Sequence, residues 1–170
     1  MNFKLSTLVA LLAIAAPALA RNAVVDGLNK ISKQVAGVEQ KADKVNVVTL
    51  AAQGPQVVQA YAQEVQYMTG QINGMPSSLP SDVQADVCNA WAAYSENQKH
   101  LLSVLIYKEA LMHSVGLGDP IRGLLHADES ANNQYTFDLF ALASDCSGTL
   151  GKRRNELADL YAEAIRTYES

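Results

Sequence analysis

Few residues in this 170-residue chain have the type and spacing that chemistry needs. His100, His113 and His126 raise the question of a metal. Glu96/His100 and Glu109/His113 each stand four apart, which puts both members of a pair on one helical face. A di-metal site in a helical bundle instead uses Glu-x-x-His on two helices with further carboxylates. Here the residue three after Glu96 is Lys99, and the residue three after Glu109 is Met112. These spacings read as helix-surface pairs, and no metal or other cofactor is expected.

Nucleophile chemistry has no better foothold. No Gly-x-Ser-x-Gly elbow occurs, and the Gly-x-Gly of Gly116-Leu117-Gly118 sits where a helix should end, which makes it a C-cap. The acidic residues read as scattered over polar faces, with no apolar pocket to raise a carboxylate pKa. Lys152-Arg153-Arg154 reads as the solvated start of a helix, with a dibasic processing site as its functional alternative. The chain is therefore expected not to be an enzyme.

Its first twenty residues point to export. Lys4 gives a positive start, Leu8 to Ala16 an apolar run too short to span a bilayer, and Pro17-Ala18-Leu19-Ala20 a small-x-small cleavage pattern. Residues 1–20 are read as a signal peptide and 21–170 as one helical-bundle domain, secreted, extracellular or in the cell wall. No later segment reads as a transmembrane span. The net charge of −4 becomes −5 once Lys4 is removed, which disfavours nucleic acid as a partner. In an exported chain the default for Cys88 and Cys146 is a disulfide, and two buried free thiols are the alternative.

The elements that position these residues are helices. Val24, Leu28, Ile31, Val35, Val38, Ala42 and Val45 form one stripe, so a first helix is expected from about Asn22 to Ala52, stopped by Gly54-Pro55. Val58, Tyr61, Val65, Met68 and Ile72 mark a second. After the loop from Asn73 to Pro80, Ser81 should cap a third, with Val83, Val87, Trp91, Tyr94, Leu101, Leu105 and Met112 on its inner face. Leu101 to Tyr107 is apolar nearly all round and should lie at the centre. A fourth region is expected to be interrupted by the polar stretch at Asp128–Gln134, and a last helix carries Leu150, Leu157, Leu160, Tyr161, Ala164, Ile165 and Tyr168. The fold class is all-α: an antiparallel bundle of four to five helices with one disulfide, its short loops favouring chain neighbours as spatial neighbours.

The opening helix, Val25-Asp26-Gly27-Leu28-Asn29-Lys30-Ile31-Ser32-Lys33-Gln34-Val35, and the closing one, from Leu150 through Ala164-Ile165 to Tyr168, carry a resemblance. Together with the Gly-Pro break and the loop before Ser81, this order resembles the fungal hydrophobic surface-binding protein family, which includes cell-wall galactomannoproteins. The resemblance implies a secreted bundle that adsorbs to hydrophobic surfaces or encloses a lipid.

The expected function is thus non-enzymatic binding of a hydrophobic ligand or surface, with a fatty acid, sterol or other lipid held in an apolar core between helices; an ordinary, well-packed core is the alternative. Val65, Met68, Trp91, Leu101, Leu105, Met112 and Phe140, the central apolar residues by periodicity, are expected to line it; methionine adapts its shape to such a lining and tyrosine offers a hydroxyl at its mouth. The alternative is a secreted effector or inhibitor that acts through contact with a host or cell-wall protein; an exposed apolar patch would favour it.

Overall fold

The stripes of apolar residues at steps of three and four are realised as five α-helices. A computed structural model describes residues 6–144 and 147–169, and among them there is no strand. The helices are α1 (Ser6–Lys44), α2 (Leu50–Asn73), α3 (Ser81–His113), α4 (Gly118–Leu142) and α5 (Ser147–Glu169). All seven stripe residues from Val24 to Val45, six in α1 and Val45 just past its end, are buried, while Asn29, Lys30, Lys33, Gln40, Lys41 and Lys44 face solvent. α1 runs unbroken past Ala20, the expected cleavage site. Among the described residues no helix is long and apolar enough to cross a membrane.

The first break falls earlier than the spacing predicts. α1 ends at Lys44, and Pro55 lies inside α2 instead of opening it. The cause is Asn46. Its Oδ1 accepts the backbone N–H groups of Val48 (3.0 Å) and Thr49 (3.1 Å), and Thr49 Oγ1 accepts the N–H of Asn46 in return (3.1 Å). This reciprocal bonding three residues apart has the pattern of a capping box and closes the turn 46–49 that leads into α2, with the buried Val45 and Leu50 on either side of it; the N-cap itself, Thr49, makes no side-chain cap bond. Gly54-Pro55 does not end the helix: Pro55 is the sixth residue of α2, lies on its exposed side, and gives up the backbone N–H bond that another residue would make there. Gly54 still has a role: a Cβ there would come within 2.5 Å of Leu117 Cδ1, so its absence admits the α3–α4 turn against α2.

That turn has the chemistry expected of it. Gly116 takes φ +75°, Leu117 N–H reaches Met112 O (3.0 Å) and Gly116 N–H reaches His113 O (3.0 Å), which is a Schellman cap. At the other end of α3, Pro80 occupies the cap position and Ser81 is the first helical residue, so the helix starts one place earlier than predicted.

α4 differs most from its expectation. It is continuous over 25 residues, because Asp128, Asn132 and Thr136 occupy the same inward stripe as Leu125, Tyr135 and Leu139. A polar stretch looked like a break; it is a polar patch on a buried face.

Five packed pairs close a cycle: α1 against α2, α2 against α4, α4 against α5, α5 against α3 and α3 against α1. α3 meets α2 and α4 only lightly, across the middle of this ring. The links α2–α3 and α3–α4 therefore cross between non-neighbours, whereas short loops suggested neighbours throughout. Long side chains point into the ring interior, with Trp91, Tyr61, Tyr94, Tyr135, Tyr161 and Met68 all fully buried. α3 touches all four other helices, and its Leu101, Leu102 and Leu105 are fully buried, yet Tyr107 is 83% exposed, so the central placement stops short of that residue.

A candidate functional site in the ring interior

Four helices send polar groups into this apolar interior. Tyr61 and Glu64 come from one inward stripe of α2, and Trp91, Tyr94, Ser95 and Gln98 from one of α3. Asp128, Asn132 and Thr136 come from α4, and Tyr161 from α5. Steps of three and four keep each set on a single face. All ten are buried.

Their hydrogen bonds converge on Asp128. Tyr61 Oη donates to Asp128 Oδ2 at 2.7 Å, and Gln98 Nε2 donates to the same oxygen at 2.7 Å. The Gln98 amide also lies 2.8 Å from Tyr161 Oη. Beside this group, Tyr94 Oη donates to Asn132 Oδ1 (3.0 Å), while Ser95 and Thr136 return their hydroxyls to carbonyls one turn back. The remaining polar atoms have no protein partner: Glu64 Oε1 and Oε2, Asp128 Oδ1, Gln98 Oε1 and Trp91 Nε1. Each such orphan costs on the order of 1–3 kcal/mol relative to a satisfied one.

Burial governs the electrostatics. It pushes the Asp128 carboxyl up to about 6, against the pull of hydrogen bonds from Tyr61, Tyr161 and Gln98. Burial and then the nearby Asp128 charge raise Glu64 well above the usual carboxylate range. Burial first, then Asp128, pushes the hydroxyls of Tyr61, Tyr94 and Tyr161 upward, so they remain protonated donors. Two carboxyl groups thus share a low-dielectric space, which corrects the expectation that acidic residues lie only on polar faces. The available signal was positional, since Glu64, Gln98, Asp128 and Asn132 all fall at stripe positions of otherwise apolar helix faces.

The seven residues proposed as a lining fall in one core but not at one point. Val65, Met68, Trp91, Leu101, Leu105 and Met112 are buried, and Phe140 is half-buried against the same core. Val65 and Met68 adjoin Glu64 on α2, and Trp91 belongs to the polar group itself. Met112 stands about 30 Å along α3 from Trp91, so the set traces a long seam. Tyr168 Oη donates to Leu105 O (2.9 Å), a buried tie between α5 and this seam.

The other candidates are placed on the surface. His100, His113 and His126 are exposed, and among the described residues no group of three or more His, Cys, Asp or Glu side chains is placed to hold a metal. Glu109 and His113 do pair, 3.5 Å apart, and the His113 ring stacks on Tyr168. Glu96 does not pair with His100. Packing of α5 against α3 brings Arg153 to it, and Lys99 bridges Glu96 (3.2 Å) and Glu156 (2.8 Å). The basic cluster therefore takes part in an ion-pair network between two helices instead of lying free in solvent. Cys88 is half-buried on α3, and its expected partner Cys146 lies outside the described residues.

A separate apolar groove opens where α1, α2 and α3 meet. Val45, Val47, Leu50, Tyr107 and Leu111 line it, and Val47 and Tyr107 are exposed there.

No protein-family model matches the chain, and no curated protein does. Among solved structures, the fold is similar to that in the crystal structure of AFMP4P in complex with palmitic acid. The match has a TM-score of 0.67 at 15% sequence identity and covers 87% of this chain and 99% of that one. The chain therefore has the all-helical fold of AFMP4P.

Proposed function

We propose that this chain is a secreted, non-enzymatic binder of a lipid with a long apolar tail, held between the helices with its polar end at the Glu64–Asp128 group. The observation that carries the reading is a set of unpartnered polar atoms at the centre of an otherwise apolar ring. An amphiphile answers both parts, since its tail matches the apolar seam and its head can meet the orphaned groups. Support comes from AFMP4P, which shares the fold and holds palmitic acid. The aliphatic and methionine side chains along α2 and α3 can repack around a tail.

The test is native mass spectrometry of the chain secreted from its own host, followed by denaturing extraction. A stoichiometric lipid is expected. A clean protein mass that takes up no added palmitic acid, alcohol or sterol would sink the reading.

The exposed apolar groove formed by Val45, Val47, Leu50, Tyr107 and Leu111 favours a second reading, contact with a protein partner. Under it the chain is a secreted effector or inhibitor, and the ring interior serves only folding. Charged substitutions at Val47 and Tyr107 would then abolish function while leaving lipid uptake untouched.

A further inference from the structure

The orphaned atoms at the ring centre are unequal in kind. Four are acceptors, namely both Glu64 oxygens, Asp128 Oδ1 and Gln98 Oε1; one, Trp91 Nε1, is a donor. The orientation of the Gln98 amide follows from its neighbour, since only its nitrogen can donate to the Asp128 oxygen 2.7 Å away. Its carbonyl oxygen is therefore the free end. Protonating one of the two carboxyl groups turns one acceptor into a donor, and acceptors still outnumber donors.

A fatty-acid carboxylate brings acceptors only, and a negative charge beside Glu64 and Asp128. It would leave the free oxygens unpaired and add like-charge repulsion where solvent cannot screen it. A hydroxyl or ammonium head brings what the cluster lacks.

We propose that the head group recognised at this site is a hydrogen-bond donor, a long-chain alcohol or a long-chain amine, held by the free oxygens of Glu64, Asp128 and Gln98 in preference to a carboxylate. The proposal rests on the lipid-binding reading above and goes further by naming the head chemistry. The two donor classes differ in charge. An amine is preferred if the carboxyl pair carries charge, and an alcohol if protons keep it neutral.

The test titrates the whole secreted chain, stripped of lipid, separately with hexadecylamine, hexadecan-1-ol and palmitic acid at about pH 8, where palmitate is ionised. Bound fraction is read by native mass spectrometry. The amine or the alcohol is expected to bind at least about tenfold more tightly than palmitate, a gap of the size that one unmet buried polar group produces. Glu64→Gln introduces a donor and removes a charge, so it should shrink that gap to about threefold or less. Asp128→Asn, a second exchange from another helix, should act in the same direction if Glu64→Gln does not fold.

Palmitate binding as tightly as both donors in the unmodified chain would overturn the inference while leaving lipid binding intact. So would a preference that neither variant changes, because the head would then lie elsewhere. Failure of all three ligands to bind would overturn lipid binding itself, and this inference with it.

Discussion

The hydroxyl of Tyr61 lies 2.7 Å from Asp128 Oδ2, a buried hydrogen bond that spans 67 positions of sequence and ties α2 to α4. It stabilises the ionised form of a carboxyl that burial otherwise disfavours, so the bond and the carboxyl's protonation are linked.

That linkage sets a direction for stability against pH. In the folded chain Asp128 titrates at about 6, above the ordinary carboxylate value that it regains on unfolding. Between about pH 4 and about pH 6 the folded state holds the extra proton, so stability falls as pH rises through that window. The loss from this group is roughly 3 kcal/mol, and Glu64, raised in the same direction, carries it further upward. Glu96 and Glu156 are shifted the opposite way, but they are exposed and act at lower pH. Denaturant midpoints measured from pH 4 to 8 should decline; a steady rise would refute the assignment.

Asp128→Asn should flatten that decline. The amide oxygen can still accept from Tyr61 while the buried charge is gone, so about 1–3 kcal/mol of stability should be gained near pH 7 and little near pH 4. Tyr61→Phe should do the reverse, costing about 1–3 kcal/mol at pH 7, where the carboxylate loses its donor, and less in acid. Chemical denaturation at the two pH values separates these outcomes.

Asn46→Ala removes the side chain that accepts from Val48 and Thr49 in the turn leading into α2, and the expected loss is about 0.5–2 kcal/mol. Thr49→Ala, which removes the reciprocal half, should cost less when combined with it than the two single losses together. Additive losses would mean that the two side chains act independently.

Gly116→Ala forces a Cβ into the left-handed region at φ +75° and should cost about 1–2 kcal/mol, with no compensating contact because nothing lies within 4 Å of the new carbon. An unchanged melting temperature would show that the Schellman turn contributes nothing to holding α3 against α4.

Pairing of Cys88 with Cys146 is expected to appear as a single cross-linked peptide after non-reducing digestion. The chain-entropy relation for a loop of close to 60 residues makes its removal worth roughly 4 kcal/mol. Two alkylatable thiols in the native protein would rule it out.

The order of residues along the chain dictates local structure. Apolar spacing at three and four dictates helices, since that period buries one side of a helix and of nothing else. Gly116 specifies a helix end because only glycine adopts its φ without strain. The bonded turn at Asn46–Thr49 is equally local, although Gly54-Pro55 is the louder break signal in the sequence. Which helices become neighbours was decided by tertiary structure, as was the inward turn of Glu64, Gln98, Asp128 and Asn132. A polar residue on a helix costs nothing until a second helix covers it. Whether Asp128 lies in water or in the core therefore depends on α2, α3 and α5 closing around α4, and no stretch of α4 alone contains that information.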